Sequence, residues 1–420
     1  MEIKKEELEG VSISKSAYDN FVSAIKARET REKYERVLKL ILCKICNEFF
    51  SGSVEERAEQ LVKLAKENPD YVQSLMLILC KKLRERTEKP KTDSAYLNPA
   101  TVPNYFKPIK KLFQINDVPF SWAKVEAVYP EMNNKNEGRG YLKEEIRTLL
   151  EHAGLMDRAI ALVASSGGIR EGGLATLKWK DITPIYKVGG KLVYETVNQL
   201  PTEEEATDEN LVCARVWVYS GTADVYPAYI SFEGYRALMN WKTQYANEIG
   251  MRVDENYPIF KKDGDMPVDL RPTAIRARVE NVLWSSGLRK PLERDKRRHL
   301  IPAVQGFRRY FETTCFDAVK GESLLGLYIS MSYIVNHRGL TNLDSAYFIK
   351  REPELIEQYL QAVPALSVSE DAVKTLRIQQ AHDKIAELEE GQARKMLEME
   401  SKLKSLSGLV ERLLHEKEKN

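Results

Sequence analysis

The chain has 420 residues, which points to two or three domains, and at 43% hydrophobic it can bury a core of its own. With 30% charged residues but a formal net charge of only +2, it is no bulk polycation, so any nucleic-acid surface has to come from local clusters of Lys and Arg. The opening MEIKKEELEG is charged throughout and no apolar run approaches a membrane span, so the expectation is a cytoplasmic protein with no membrane partner.

Residues 12–132 read as helical almost throughout. Ser14 or Ser16 can cap a first helix whose apolar face is Tyr18, Phe21, Val22 and Ile25. Thr30 is the expected cap of the next, with Tyr34, Val37, Leu38, Ile41 and Ile45 along one stripe. A polar break at Ser51–Ser53 precedes a third helix through Leu61 and Leu64, and Leu75, Leu77, Ile78 and Leu79 open a fourth. Asn98-Pro-Ala-Thr101 starts the last, where Ile109, Leu112 and Phe113 alternate with Lys107, Lys110 and Lys111. A cluster of six basic residues in eleven lies at Lys81–Lys91. Such a module can hold DNA phosphates without reading base sequence. Cys43 and Cys46 have CxxC spacing but sit in an apolar helical pattern, with no second pair and no nearby His. The five cysteines therefore read as reduced core thiols, with no metal or other cofactor implied.

The polar, glycine-bearing stretch 133–140 is the expected linker between a helical domain, 1–132, and a second domain, 141–366. In the second domain a strongly apolar helix from Met156 to Ser165 runs into SSGGIREGGLATLKWKDI, which places Arg170 at a glycine-flanked turn. Two hairpins follow, Ile182–Val197 around Gly189-Gly190 and Cys213–Ile230 around Ser220-Gly-Thr222, with an acidic loop between them. The predicted class is thus mostly α with a small antiparallel β-sheet. Helices resume at Phe232, and a second basic cluster, six residues in ten, occupies Arg289–Arg298. Next comes VQGFRRYFETT from Val304, with the adjacent pair Arg308 and Arg309, and after a connection NHRGLTNLDSAYF, with His337 and Tyr347. These supply fixed cations, a proton donor and a hydroxyl nucleophile, the parts of a phosphate-attacking site. The end of the chain, 370–420, is different in kind. Apolar residues at Ile378, Ala381, Ile385 and Leu388, then at Met396, Met399, Leu403, Leu406, Val410 and Leu413, alternate by three and four with a register slip near Gly391. That is a coiled-coil seam of about five heptads.

The three segments SSGGIREGGLATLKWKDI, QGFRRYF and NHRGLTNLDSAY resemble the signature motifs of the tyrosine recombinases, or integrases. Within that family they are most similar to the integrases of archaeal plasmids and viruses, which have an SSG opening just before the arginine, as in SSGGIR here, and a YxGT hairpin like Tyr219–Thr222. The resemblance implies a helical core-binding domain and an α+β catalytic domain acting on double-stranded DNA attachment sites, with four protomers joining two sites. It implies a catalytic set of Arg170, Gln305, Arg308, His337 and Tyr347. Tyr347 would attack a phosphodiester to give a 3′-phosphotyrosine link, with no cofactor. Three departures stand out. Gln305 occupies a position usually His or Lys, and Gly173 one that is often acidic, with Glu171 nearby. The Ser220–Asp224 turn lacks the family's lysine, for which Lys191 is the nearest substitute in sequence. Two other readings stay open on these departures: a topoisomerase-like enzyme of type IB that nicks and religates DNA, and a protein that binds or bridges DNA with a weakened site.

Overall fold

The computed structural model describes residues 16–131, 138–196, 200–293, 298–318 and 352–417. His337 and Tyr347 lie outside this set. Contacts divide the chain into two compact units, one essentially up to Glu137 and the other from Gly138 onward.

The first unit is all helical: α1 (Ala17–Ser23), α2 (Arg28–Leu40), α3 (Val54–Glu67), α4 (Pro69–Thr87), α5 (Val102–Ile115) and α6 (Trp122–Glu126). Caps set several of these starts. The Ser16 hydroxyl accepts from the Asp19 amide, and Ser53 and Glu56 form a reciprocal capping box that satisfies two otherwise orphaned amides. Thr30 is not a cap: α2 begins earlier, behind Ala27, where an Arg28–Glu32 ion pair one turn apart supports the first turn. Likewise α4 begins at Pro69, with Asn68 as its cap, well ahead of Leu75. At Ile41–Ile45 the helix widens into a π turn, which carries Cys43 half-buried and leads to Cys46 in the core. That core is a single cluster running from Ala17 to Val125. Lys81, Lys82 and Arg84 stand exposed on the late turns of α4, and Lys107 and Lys110 are exposed on α5.

The second unit is mostly helical around a small sheet. Its elements are α7 (Lys143–Glu151), α8 (Leu155–Gly167), α9 (Glu171–Thr176), β1 (Ile182–Val188), β2 (Lys191–Tyr194), β3 (Leu211–Val218) and β4 (Tyr226–Ser231). They continue as α10 (Phe232–Ile249), α11 (Pro272–Ser285), α12 (Ala303–Ala318), α13 (Glu352–Leu366) and α14 (Glu370–Lys417). The sheet is antiparallel throughout, in the order β2-β1-β3-β4. Helix α8 is buried on every side from Ala159 to Gly167, and α10, α11, α12 and β4 pack around it. Its small side chains, Ala161, Ala164, Ser165 and Ser166, let those neighbours approach. Helix α13 is pinned to the same element: the buried Tyr359 hydroxyl donates to the Ser166 carbonyl at 2.9 Å. Among the described residues no helix is long and apolar enough to cross a membrane.

The junction from α13 to α14 is also fixed. The Glu233 carboxylate accepts from the amides of Val368 (2.8 Å) and Ser369 (2.9 Å), and Arg147 Nε donates to the Val368 carbonyl. Ser369 then caps α14 by accepting from the Ala372 amide.

Buried tyrosines make this unit sensitive to alkali. Burial pushes Tyr235, Tyr245 and Tyr310 up to about 12, and Tyr359 well above the ordinary value of 10.0. The folded state therefore holds these protons more tightly than the unfolded chain. The corresponding stability is intact below pH 10 and is lost as pH rises through the folded values. Thermal midpoints measured across this range should fall steeply between pH 10 and 12, in step with tyrosinate absorbance; an unchanged midpoint to pH 12 would contradict this account.

Candidate active site

The site begins where α8 ends. Gly168 closes that helix in the left-handed conformation, at φ +61°, and a Cβ there would meet the Phe311 ring at 2.4 Å. The turn that follows presents Arg170, exposed, as the N-cap of α9. The Phe311 that fills the space beside Gly168 belongs to α12, the helix that also carries Arg308. Two segments distant in sequence are thus locked together by a glycine–aromatic contact.

Arg308 is buried, at 5% exposure. Its Nη1 donates to the Gly168 carbonyl at 2.8 Å, and its Nε donates to Glu312, one turn on, also at 2.8 Å. Both bonds fix the plane of the guanidinium. Burial, and next the Arg170 charge, lower the Arg308 pKa, while Glu312 opposes them. The two arginines expected from the motifs are therefore neighbours. Like charges gathered at one turn repel, and an anion lying between them would relieve that repulsion. Gln305 lies three residues before Arg308, hence on the same face of α12, and its side chain is exposed.

Arg309 behaves differently. Adjacent helix positions do not share a face, and Arg309 turns towards Gly138 and Gly140. A Cβ on Gly138 would sit 2.5 Å from its Nη1. The adjacent pair thus divides, with only Arg308 joining Arg170.

The β3–β4 hairpin completes the cluster. Tyr219 adopts a left-handed backbone, φ +56°, unusual for a residue other than glycine, and its carbonyl accepts from the Thr222 amide and hydroxyl. Tyr226 opens β4, buried, with its ring 6.1 Å from that of Tyr219. Burial raises the Tyr226 pKa, and Arg308 and Arg170 both act against that rise. Its hydroxyl therefore belongs to the same electrostatic neighbourhood as the two arginines. Nothing in the sequence singles out Tyr226 beyond strand propensity; its place beside the Tyr219 turn comes from the register that pairs it with Val218.

The glycine at 173 has a physical reason. Gly173 lies against the sheet: a Cβ there would meet Val218 Cγ1 at 2.7 Å and Ile169 Cγ2 at 2.9 Å. An acidic side chain does not fit at that position. Glu171 is engaged elsewhere, in an ion pair with Arg276 at 2.7 Å. Placing an acid there, Gly173→Asp, should therefore destabilise the protein by about 1–3 kcal/mol through overpacking. A fall in thermal midpoint would report this, and a variant as stable as the parent would refute the packing account.

Lys191 does not come to the arginines. It pairs with Val188, at the end of β1 remote from Ile182, whereas Ile182 pairs with Val216 near the Tyr219 turn. Lys191 thus sits on the outer strand at the far end of the sheet, beside Thr196, Pro353 and Glu357. The topology sets it apart because β2 and the β3–β4 turn lie at opposite corners. Arg289, counted in the second basic cluster, is also structural: it is buried, donating to the Ile301 carbonyl at 2.9 Å and pairing with Glu280. Among the described residues no group of His, Cys, Asp and Glu is arranged to hold a metal ion.

No family model and no curated protein matches the chain. Solved structures do match. They include XerA recombinase, at 16% identity over 83% of this chain and 98% of that one, with a TM-score of 0.33. The integrase from mycobacterium phage Brujita matches at 13% identity over 86% of this chain and 95% of that one, with a TM-score of 0.35. A lambda integrase (75-356) dimer bound to a COC′ core site matches at 11% identity over 80% of this chain and 95% of that one, with a TM-score of 0.46. The described residues give the chain its fold class, mostly helical with a four-stranded antiparallel sheet.

Proposed function

We propose that the chain is a site-specific DNA recombinase of the tyrosine recombinase family, similar to archaeal plasmid and virus integrases, which integrates and excises a mobile element. The observation that carries this reading is the convergence of Arg170 and Arg308 at the Gly168 turn, with Arg308 held in place by the Gly168 carbonyl and Glu312. Those two residues come from the first two motifs that the sequence shares with that family.

In the proposed reaction the Tyr347 hydroxyl attacks a DNA phosphodiester. The bond from tyrosine oxygen to phosphorus forms, and the bond to the 5′ oxygen breaks. The tyrosine hydroxyl gives up its proton and the leaving 5′ oxygen takes one up, so the strand leaves as a 5′ hydroxyl and the phosphate stays on the enzyme as a 3′-phosphotyrosine. Arg170 and Arg308 stabilise the extra negative charge of the transition state, with His337 and Gln305 as hydrogen-bond partners of the phosphate oxygens. The energy of the broken bond is conserved in the covalent link, so religation to another strand needs no nucleotide cofactor. Double-stranded DNA is the partner, gripped by the basic helices of the first unit, and four protomers assemble on two sites.

Nicked attachment-site duplexes test this. The wild-type chain should leave a denaturant-resistant protein–DNA adduct on the 3′ phosphate. A second reading, a protein that binds or bridges DNA with a weakened site, is favoured by Gln305, which cannot act as acid or base near neutral pH, and by the lysine-free Tyr219–Val225 turn. Tight binding without any adduct on cognate sites would establish that reading in place of the first.

A further inference from the structure

Helix α14 runs unbroken for 48 residues, about 72 Å at helical rise. Its apolar seam is uncovered: Ile378, Ile385, Leu388, Met396, Met399, Leu403 and Leu406 are each 53–66% exposed. Seven large apolar side chains on one stripe of a single helix need a partner surface. The chemistry of the seam says which one.

In heptad notation Ile378, Ile385, Met396, Leu403 and Val410 fall at a, while Ala381, Leu388, Met399, Leu406 and Leu413 fall at d. Branched-β residues are confined to a, and leucine predominates at d. That distribution favours two parallel strands over three or four. The flanking charges point the same way. In a parallel, in-register pair each g residue faces the e residue five positions on in the other helix. Lys395 then meets Glu400, and the sequence repeats the pattern with Lys384 and Glu389. In an antiparallel pair g faces g and e faces e, which sets lysine against lysine and glutamate against glutamate. The spacing also carries one irregularity. Leu388 and Met396 are separated by two steps of four, with Gln392 at the middle step. Such an insertion locally unwinds a coiled coil, and two helices share the unwound layer without a mismatch when they run in register.

We propose that α14 pairs with α14 of a second copy of this chain as a parallel, in-register, two-stranded coiled coil that forms without DNA. The occupant of the seam is thus the same segment of another protomer. The inference goes beyond the recombinase reading and does not rest on it, since the test uses no DNA and no cleavage.

The full-length chain, free of DNA, should have twice its 48.2 kDa mass by light scattering at micromolar concentration. Leu388→Cys and Leu406→Cys, each at a d position, should each give a disulfide-linked dimer of identical chains on mild oxidation, whereas the parent gives none. Antiparallel pairing sets d against a, so neither variant would link, alone or mixed, and a dimer by mass that fails to link in both variants overturns the orientation. A monomer, a trimer or a tetramer by mass overturns the proposal, as does assembly that needs a different protein. Because both cysteines lie on the exposed stretch of α14, the fold of the catalytic unit is not at stake, and the parent's mass stands as a measurement independent of either variant.

Discussion

Replacement of Tyr347 by Phe is expected to abolish the covalent protein–DNA adduct while leaving DNA affinity within about twofold. The change removes one oxygen, the atom that would form the bond to phosphorus, and preserves the ring. It touches none of the basic residues, which dominate affinity through counterion release. The assignment of Tyr347 rests on its place in NHRGLTNLDSAYF, ten residues after His337, in a segment outside the described residues. The experiment therefore bears directly on a sequence inference. An adduct that survives the substitution would move the nucleophile to another residue. Loss of binding together with cleavage would instead give the tyrosine a structural part.

The second large effect is expected at Arg308. Arg308→Ala should lower single-turnover cleavage on the order of 10²–10³-fold, the range seen when one donor to a developing oxyanion is removed. Affinity should change far less. The substitution also leaves the Gly168 carbonyl and Glu312 without this partner, which costs about 1–3 kcal/mol of stability. Thermal unfolding has to be followed alongside cleavage, so that lost fold is not counted as lost catalysis. Arg308→Lys separates the two further. A lysine keeps the charge but cannot make both bonds in one plane, so it should recover stability better than rate. Equal losses of cleavage and binding in a well-folded variant would argue against a role in the reaction.

Much of the fold is legible in the sequence because periodicity and local capping report it directly. The hairpin around Gly189-Gly190, the strands flanking Ser220–Thr222 and the apolar run that becomes α8 all follow from local patterns. Of the candidate site, glycine–arginine and arginine–aromatic patterns mark Arg170 and Arg308, and the fold brings Arg308 to the turn that carries Arg170. What the sequence hides is tertiary. Gly173 reads as a missing acid until Val218 is found against it. Lys191 reads as a substitute lysine until strand order puts β2 at the far edge of the sheet. Arg289 reads as part of a basic cluster until its hydrogen bond to Ile301 shows it to be a buried strut. Tyr226 is silent in the sequence because only strand register sets it opposite Val218 and beside Tyr219. In each case the deciding contact spans many residues, and no local pattern encodes it.

The way α14 leaves the body has a mechanical consequence. Glu233 and Arg147 clamp the backbone at Val368 and Ser369, and Ser369 caps the helix immediately beyond. No slack chain separates the second unit from the long helix. A pairing made far along α14 is therefore felt as torque at its root, as with a lever arm rather than a tether. Weakening the clamp, for instance with Glu233→Gln, would turn a stiff handle into a hinge without touching the seam.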